Sequence, residues 1–572
     1  MTETKQKWAV FDQNGHLACL PVHKIGERTV VVAGGAKVPP GRLWLLSDAD
    51  YAPLLAAVRT RAGRTDIESL WRAADGETLT ADELASRAGA KTPAEILEVL
   101  QAALDNPAYF RRREGRLAPA DESVLDKVRA SLRRREEEME VERDMFERLE
   151  KGDVAEFVRC REDLLAGENK NSAVFRAAKK AAGGEKYIPQ WLVSIGACTD
   201  ARECRNLIFV RDWPQRPQTA PPPPPDIADS DSVGEGAFSI DDAGTFEVDD
   251  AFSAYTNDSG HTMVGIHIAV PALDEGLFTA AEYDKQRLIS AYFPDGKVPM
   301  LSESHIKAYS LQAGESRMAL SWYCRFDPTT GAVHDTETKL NRIVVRNNYC
   351  PEDFDDGAPA EVAAAYAMLE SFTAVLPPLP ARERFDFRIL TDPPAVNALP
   401  RRPVGLLVEK LMRHINTEWA RVIAGYGGLY RANGALTFRP AGDNLYAWLS
   451  SPLRRYVDLA NQRLLLERLG LTDPAKINWR KLARTFASQQ TLARRYQDAA
   501  ERHFVLSALQ ALPQESVLEG TWHDKGKVRL CDYPINGPVA DGPSCRSSIG
   551  EPVQVRIRDI DLFAQRARFF IA

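Results

Sequence analysis

Five carboxylates fall within ten residues in the stretch Ser239-Ile-Asp-Asp-Ala-Gly-Thr-Phe-Glu-Val-Asp-Asp-Ala-Phe-Ser253. Acids crowded in this way repel one another unless a cation joins them. Hard oxygen ligands suit Mg2+ or Mn2+, which such sites hold with a few carboxylates, water and the phosphate oxygens of a substrate. Ala237 to Asp241 reads as the end of a strand and Asp242-Ala-Gly244 as a turn. In Phe246 to Asp250 the apolar Phe246 and Val248 alternate with Glu247 and Asp249. If the apolar pair faces a core, the two acids project to the other side, near Asp241, and a local bulge turns Asp250 the same way. Taken alone, such a stretch is an acidic surface loop or a Ca2+-holding turn, although the EF-hand spacing does not fit.

A second motif lies far downstream. Ser450-Ser-Pro-Leu-Arg-Arg-Tyr-Val-Asp-Leu-Ala-Asn-Gln-Arg-Leu464 opens with serine caps and has Pro452 at the first helical position, which predicts Arg454 in the first turn of a helix. A guanidinium beside free helix N–H groups attracts a phosphate, the arginine through paired hydrogen bonds and the helix start through its dipole. The plainer alternative is a capped helix with surface arginines.

Together the two motifs resemble the RNB catalytic domain of the ribonuclease II and ribonuclease R family of 3′→5′ exoribonucleases. The acid stretch is similar to that family's Asp-rich metal motif, and Ser450 to Arg463 to its Ser-Pro-Ile-Arg-Arg-Tyr-x-Asp-Leu signature. Tyr292-Phe-Pro-Asp-Gly-Lys-Val-Pro-Met-Leu301 is similar to its intervening aromatic segment, and all three occur in the family's order. The resemblance spans residues 230 to 508, with Val408-Glu409 and Leu429-Tyr-Arg431 as weaker matches. It implies Asp241, Glu247, Asp249 and Asp250 as metal-site acids, Asp250 among the catalytic groups, Tyr292 stacked on the 3′-terminal base and Arg454 on the scissile phosphate. Glu409 joins Tyr292 and Arg454 as an implied RNA contact. Glu247 stands where the family has Asp, one methylene longer, and Gln462 replaces a histidine.

The implied chemistry is hydrolysis of single-stranded RNA to 5′-monophosphates, with Mg2+ or Mn2+ activating water and the 2′-hydroxyl selecting RNA over DNA. Two rivals come from other classes. One is an RNA-binding protein with a decayed RNB domain, motivated by Glu247 and by an N-terminus unlike the family's cold-shock barrels. The other is a nucleotidyl transferase, which needs a nucleotide-binding loop; the sequence has no P-loop or convincing Gly-rich substitute.

The elements that must position these groups suggest a multidomain α+β chain, since 572 residues exceed what one core supports. Residues 1–60 hold short apolar runs, Trp8 to Phe11 and Thr29 to Ala33, broken by Asn14-Gly15 and Pro39-Pro-Gly41, and predict a small β-barrel. Residues 61–120 carry two capping boxes, Thr80 to Glu83 and Thr92 to Glu95, followed by a hairpin around Gly115, which predicts a winged helix-turn-helix. Arg111, Arg112 and Arg113 then sit on the wing, either as RNA contacts or as a solvated basic tip. Residues 121–226 read as a charged helical connector ending in a proline-rich linker from Trp213 to Asp226, where the main domain boundary is expected. Residues 227–510 form the α+β RNB catalytic domain. Residues 515–572 return to short strands and predict an OB-fold-like β-barrel whose Lys525 and Lys527 contact RNA.

Hydrophobic residues at 44% and charged residues at 27% exclude disordered and fibrous classes. A net charge of −7 argues against a generally basic, duplex-coating surface, so contacts with RNA must be locally basic. The first ten residues have no apolar core of signal-peptide length, and no run reaches the roughly 18 apolar residues of a membrane span. A soluble, cytoplasmic monomer is expected, with no membrane partner. Its eight cysteines, scattered without a C-x-x-C pair, are expected to be reduced.

Overall fold

The computed structural model describes residues 6–13, 16–26, 29–55, 57–58, 65–214, 221, 235–278, 283, 286–379, 386–399, 401–432, 434–440, 445–524, 526–540 and 549–572. The chain forms two compact units, Met1–Asp153 with Asn171–Ala177, and Val154–Lys170 with Ala178–Ala572.

In the first unit, Trp8–Gln13, His16–Ile25, Val30–Val32, Lys37–Val38 and Leu43–Ser47 make a five-stranded antiparallel sheet. Its hydrogen bonding leaves Lys37–Val38 and Leu43–Ser47 as edges among the described residues, where a closed barrel was expected. Period-two alternation divides its side chains: Ala9, Phe11, Val30, Val32 and Val38 share one cluster, while Val10, Leu17, Cys19 and Trp44 pack with the helices that follow. Those helices are Ile67–Ala74, Ala81–Arg87 and Pro93–Asp105. Thr80 and Thr92 cap the last two with complete capping boxes, each satisfying N–H groups that a helix start leaves open.

The hairpin Phe110–Arg113 with Arg116–Pro119 turns through Glu114 and Gly115, both at positive φ. Of its arginines, Arg112 is ion-paired with Asp12 and lies 6.0 Å over the Trp44 ring, whereas Arg111 and Arg113 are exposed. The Arg133 to Arg143 run belongs to one helix, Glu122–Glu150, laced by pairs such as Arg148 with Asp144 at 2.9 Å.

The unit boundary at 153/154 lies far before the proline-rich stretch, most of which, residues 215–220 and 222–226, is outside the described residues. Of the helices expected as a connector, Ala155–Arg159, Arg161–Ala166, Ile188–Ser194 and Ala201–Asp212 belong to the second unit, while Ala173–Ala181 begins in the first. Burial is the reason: Phe157, Phe209 and Trp213 are buried, and the Phe209 ring meets those of Phe293 at 4.9 Å and Tyr496 at 5.1 Å. Arg202 adds a two-pronged ion pair to Asp295, both hydrogen bonds at 2.8 Å.

The second unit is built on a closed barrel of Thr262–Ala269, Ser316–Phe326, Val333–Tyr349, Glu235–Ile240 and Asp250–Thr256 in that order. The 17-residue strand Val333–Tyr349 closes it, antiparallel to Ser316–Phe326 and parallel to Glu235–Ile240. The helix Tyr456–Arg468 is buried on every side from Tyr456 to Leu466, so it has no polar face and runs through the core between the barrel and the helices Pro403–Ile423 and Trp479–Gln510.

The C-terminal strands form a five-stranded sheet in the order Asn536–Pro538, Lys527–Leu530, Leu518–Asp524, Pro552–Asp561, Arg566–Ile571, packed against Val505, Leu506 and Leu509 of the long helix. A bridge from Val539 to Phe569 brings the first edge towards the last strand. Lys527 starts its strand with an exposed side chain; Lys525 lies outside the described residues. Among the described residues no helix is long and apolar enough to cross a membrane.

Candidate active site

The acid-rich stretch bridges two barrel strands. Asp241 directly follows Glu235–Ile240, and its N–H donates to the Tyr349 carbonyl at 2.9 Å, so the closing strand sets its position. The chain turns at Asp242, with Gly244 at φ 74, and re-enters the barrel at Asp250, which pairs with Ile268. Between these points it is not an alternating strand. Phe246 is 69% exposed, and Glu247, Val248, Asp249 and Asp250 are all buried in succession. The alternation expected for Phe246 and Val248 fails because the Val248 N–H donates to Ser310 Oγ and its carbonyl accepts from Leu311, which fixes an irregular backbone.

The four acids divide into two pairs. Glu247 accepts from the Tyr292 hydroxyl at 3.0 Å and from Ser290 Oγ at 3.3 Å, and Lys297 Nζ stands 3.5 Å away. Asp249 accepts the Leu453 N–H at 2.9 Å through one oxygen and faces Arg454 Nε at 3.1 Å with the other. Asp241 and Asp250, by contrast, each keep one buried carboxylate oxygen with no hydrogen-bond partner. Burial, then the charges of Asp250 and Asp249, pushes the Asp241 carboxyl up to about 8. Burial pushes Asp250 up to about 6, with Arg454 opposing, and Asp249 up to about 7 against the same arginine. Such shifts mark carboxylates taken out of water without full compensation.

Among the described residues no group of three or more His, Cys, Asp or Glu side chains is gathered closely enough to hold a metal ion. Glu247 is held by Tyr292 and Lys297, and Asp249 by Leu453 and Arg454. What fits a cation is the smaller pair, Asp241 and Asp250, whose orphaned oxygens leave hard ligands without a partner.

Arg454 is not in the first turn of a helix. Residues 452–454 form a turn, Arg455 is the N-cap and the helix starts at Tyr456. The sequence-predicted start at Ser450 fails because Asp458 accepts the Ser451 N–H at 2.9 Å and Arg455 Nη2 at 2.7 Å, so the serine segment folds back on the first turn as a loop. Asn416, from Pro403–Ile423, holds the same loop through Ser450 Oγ and the Leu449 N–H. The result is a guanidinium held at one edge by Asp249 and Ser451 while 46% of the side chain stays exposed.

Tyr292 comes from the hairpin Ala291–Phe293 with Gly296–Val298, opposite Lys297. The hairpin is tied to the arginine loop through Ser290 N–H on the Arg454 carbonyl at 3.0 Å and Tyr456 N–H on the Leu288 carbonyl at 2.9 Å. Its ring is partly exposed beside the acids, and Lys297 lies 5.7 Å over the exposed Phe246 ring. Gln462 is fully buried and donates to the Ala269 carbonyl at 2.9 Å, a structural bond to the end of a barrel strand. Glu409 is half-buried on Pro403–Ile423.

Sequence reasoning missed Lys297, Ser290 and Asp458. The Pro294-Asp-Gly296 turn between Tyr-Phe and Lys-Val was a legible hairpin signal that pairs Tyr292 with Lys297. The partners of Asp458 lie three and seven residues before it, so the acid within the arginine motif was the available signal.

Residues 231–438 match the family model described as the RNB domain. An uncharacterized ribonuclease of Synechocystis sp. is 23% identical over 381 residues, which cover 62% of this chain and 55% of that protein; the chain thus spans about half the length of this curated relative. Among solved structures, an active-site mutant of the Dss1 exoribonuclease of Candida glabrata superposes with a TM-score of 0.60 at 13% identity, over 100% of this chain and 98% of that one. RNase R of Mycoplasma genitalium, in complex with ribose-methylated single-stranded RNA, gives 0.52 at 14% identity over 65% and 77% of the two chains. At these identities the likeness to the solved structures is one of fold.

Proposed function

We propose that this chain is a member of the RNB-domain family of ribonucleases II and R and a cytoplasmic 3′→5′ exoribonuclease releasing 5′-monophosphates from single-stranded RNA. The observation that carries the reading is the juxtaposition of two buried, partnerless carboxylate oxygens, on Asp241 and Asp250, with the half-exposed guanidinium of Arg454. Acids that repel each other and a partly exposed arginine close enough to feel their charge suit a phosphodiester accompanied by a divalent cation, Mg2+ or Mn2+.

Bound at Asp241 and Asp250, such a cation supplies Lewis-acid polarisation of the phosphate and a water of lowered pKa. The protein's own groups do the placing. Asp249 fixes the Arg454 guanidinium in one orientation and locks the Leu453 backbone, so the free N–H groups of Arg454 donate to the scissile phosphate without first being ordered. Tyr292 offers its ring to the 3′-terminal base while Glu247 holds its hydroxyl, which limits ring rotation. Glu247 therefore positions the tyrosine. Its extra methylene relative to the family's Asp suits this reach to the Tyr292 hydroxyl and Lys297. Arg111, Arg113 and Lys527, whose side chains are exposed, are assigned as further RNA contacts.

The test is a time course of a 5′-labelled single-stranded RNA with Mg2+, run beside EDTA, the equivalent DNA and an Asp250→Asn protein. Shortening from the 3′ end that needs RNA, metal and Asp250 is the expected result. RNA that is bound but stays intact replaces this reading with that of an RNA-binding protein whose RNB domain has decayed.

A further inference from the structure

A cavity of about 690 Å3 opens beside Trp448, two residues before the Ser450-Ser451 loop. One wall is a single face of the helix Pro403–Ile423, carrying Lys410, Arg413, Thr417 and Arg421 at helical spacing; Arg431 and Tyr446 add to the other side. The charge is one-sided. Among the described residues Glu418 is the one carboxylate of the lining, and it is taken by an ion pair with Arg421. Lys410 donates to the Thr373 carbonyl at 3.0 Å. Arg413 and Arg431 have no carboxylate partner among the described residues; they lie over aromatic rings, Arg413 at 5.5 Å from Tyr446 and Arg431 at 4.1 Å from Trp448.

Two further features point to a missing anionic ligand. Arg455 shares the Trp448 ring at 4.4 Å and is balanced by Asp458, whereas Arg431 has no carboxylate beside it among the described residues; burial, then the charge of Arg455, pulls its pKa down against a smaller opposing effect of Tyr446. His414 Nε2, in the same lining, is buried with no hydrogen-bond partner. A half-buried guanidinium with no carboxylate partner among the described residues and an orphaned polar nitrogen are both less costly when an anion fills the cavity.

We propose that this cavity binds a free nucleoside 5′-monophosphate, its phosphate on Arg413 and Arg431 and its base against the layer of arginine and aromatic planes at Tyr446 and Trp448. The volume is that of a small-molecule site, within the roughly 300–1,000 Å3 typical of one. Arginine and aromatic planes accept any base by stacking, and the guanidinium fork matches a terminal phosphate. The choice of a monophosphate rests on the exoribonuclease reading, whose product it is. The residues that shape the cavity are separate from Asp241, Asp250 and Tyr292.

The test is photolabelling of the full-length protein with an azidoadenosine 5′-monophosphate, with the label mapped to peptides. Equilibrium dialysis of AMP follows on the native protein and on Arg413→Gln and Arg431→Gln. Label is expected on peptides containing Arg413 to Arg421 or Tyr446 to Trp448, displaced by AMP and not by adenosine. AMP affinity should fall about tenfold or more in each variant. Arg413→Gln lies outside the buried core and guards against a loss that merely reports unfolding. Label confined to the Tyr292 hairpin, undiminished AMP binding by Arg413→Gln, or better protection by an RNA trinucleotide than by AMP overturns the proposal. RNA shortening is followed on the same preparations. Label in the cavity without hydrolysis removes the exoribonuclease reading and keeps the site, and hydrolysis with label only at Tyr292 does the reverse.

Discussion

Asp241 and Asp250 keep an oxygen with no partner, while Glu247 and Asp249, drawn from the same turn, are bonded to Tyr292 and Lys297 or to Leu453 and Arg454. Their neighbourhood in sequence is the same, so the difference comes from what the fold brings up to each. The partnerless pair sits where the barrel strands end, near enough to Arg454 to feel its charge but with one oxygen of each acid left without a hydrogen bond. The partnered pair meets a hairpin and a loop from far along the chain. An acid-rich motif thus contains two kinds of acid, those left available to a ligand and those that aim other side chains.

The sharpest way to break that division is chemical. Asp250→Asn is expected to lower RNA hydrolysis by about a hundredfold to a thousandfold, the loss typical when a preorganised charge-stabilising group is removed. The folded protein should persist, because no hydrogen bond rests on the orphaned oxygen; thermal unfolding beside the activity assay checks both. Asp249→Ala should behave oppositely, costing about 1–3 kcal/mol of stability by leaving the buried Leu453 N–H unsatisfied, with activity lost as Arg454 is released. Chemical denaturation that shows native stability for Asp249→Ala would merge the two kinds of acid into one.

Proton linkage sharpens the comparison at smaller scale. Folding raises Asp241 to about 8 and Asp250 to about 6 from ordinary carboxylate values near 3.8, so the folded state holds protons that the unfolded chain has released. Their contribution to stability is fully present below pH 3.8 and is lost as pH rises through about 6 and then about 8. A divalent cation competes with those protons. The rise in Tm on adding Mg2+ should therefore grow between pH 5.5 and 8, values bracketing the two shifted groups, and should vanish in the Asp241→Asn, Asp250→Asn double variant. A pH-independent rise would place the cation elsewhere. The smallest effect is expected at Phe246→Ala. A ring 69% exposed loses little on truncation, so stability should stay within about 0.5 kcal/mol of native, as urea unfolding would show.

Much of this was legible locally and much was not. Thr80 and Thr92 announced their helices because a capping box is closed within four residues. The charge of the acid stretch and the turn at Gly244 could also be read directly. Phe246 misled because burial there is decided by Ser310 and Leu311, more than sixty positions away in sequence. Arg454 was placed one turn too deep because serines and a proline look like a helix start, and the competing acceptor, Asp458, belongs to the helix itself. The helix Ala201–Asp212 read as part of a connector because its polar positions are plentiful; Phe209 and, just after it, Trp213, which bind it into the second unit, are few. Parallel pairing of Glu235–Ile240 with Val333–Tyr349 has no short-range signature at all.

The Asp249–Leu453 hydrogen bond joins groups 204 positions apart in sequence. During synthesis the acids emerge first, then Tyr349 to hold Asp241, and only much later the loop bearing Arg454. A chain released early from the ribosome carries the acids without the guanidinium they aim, and the pairing of Asp249 with Arg454 forms only after the residues between them have been made.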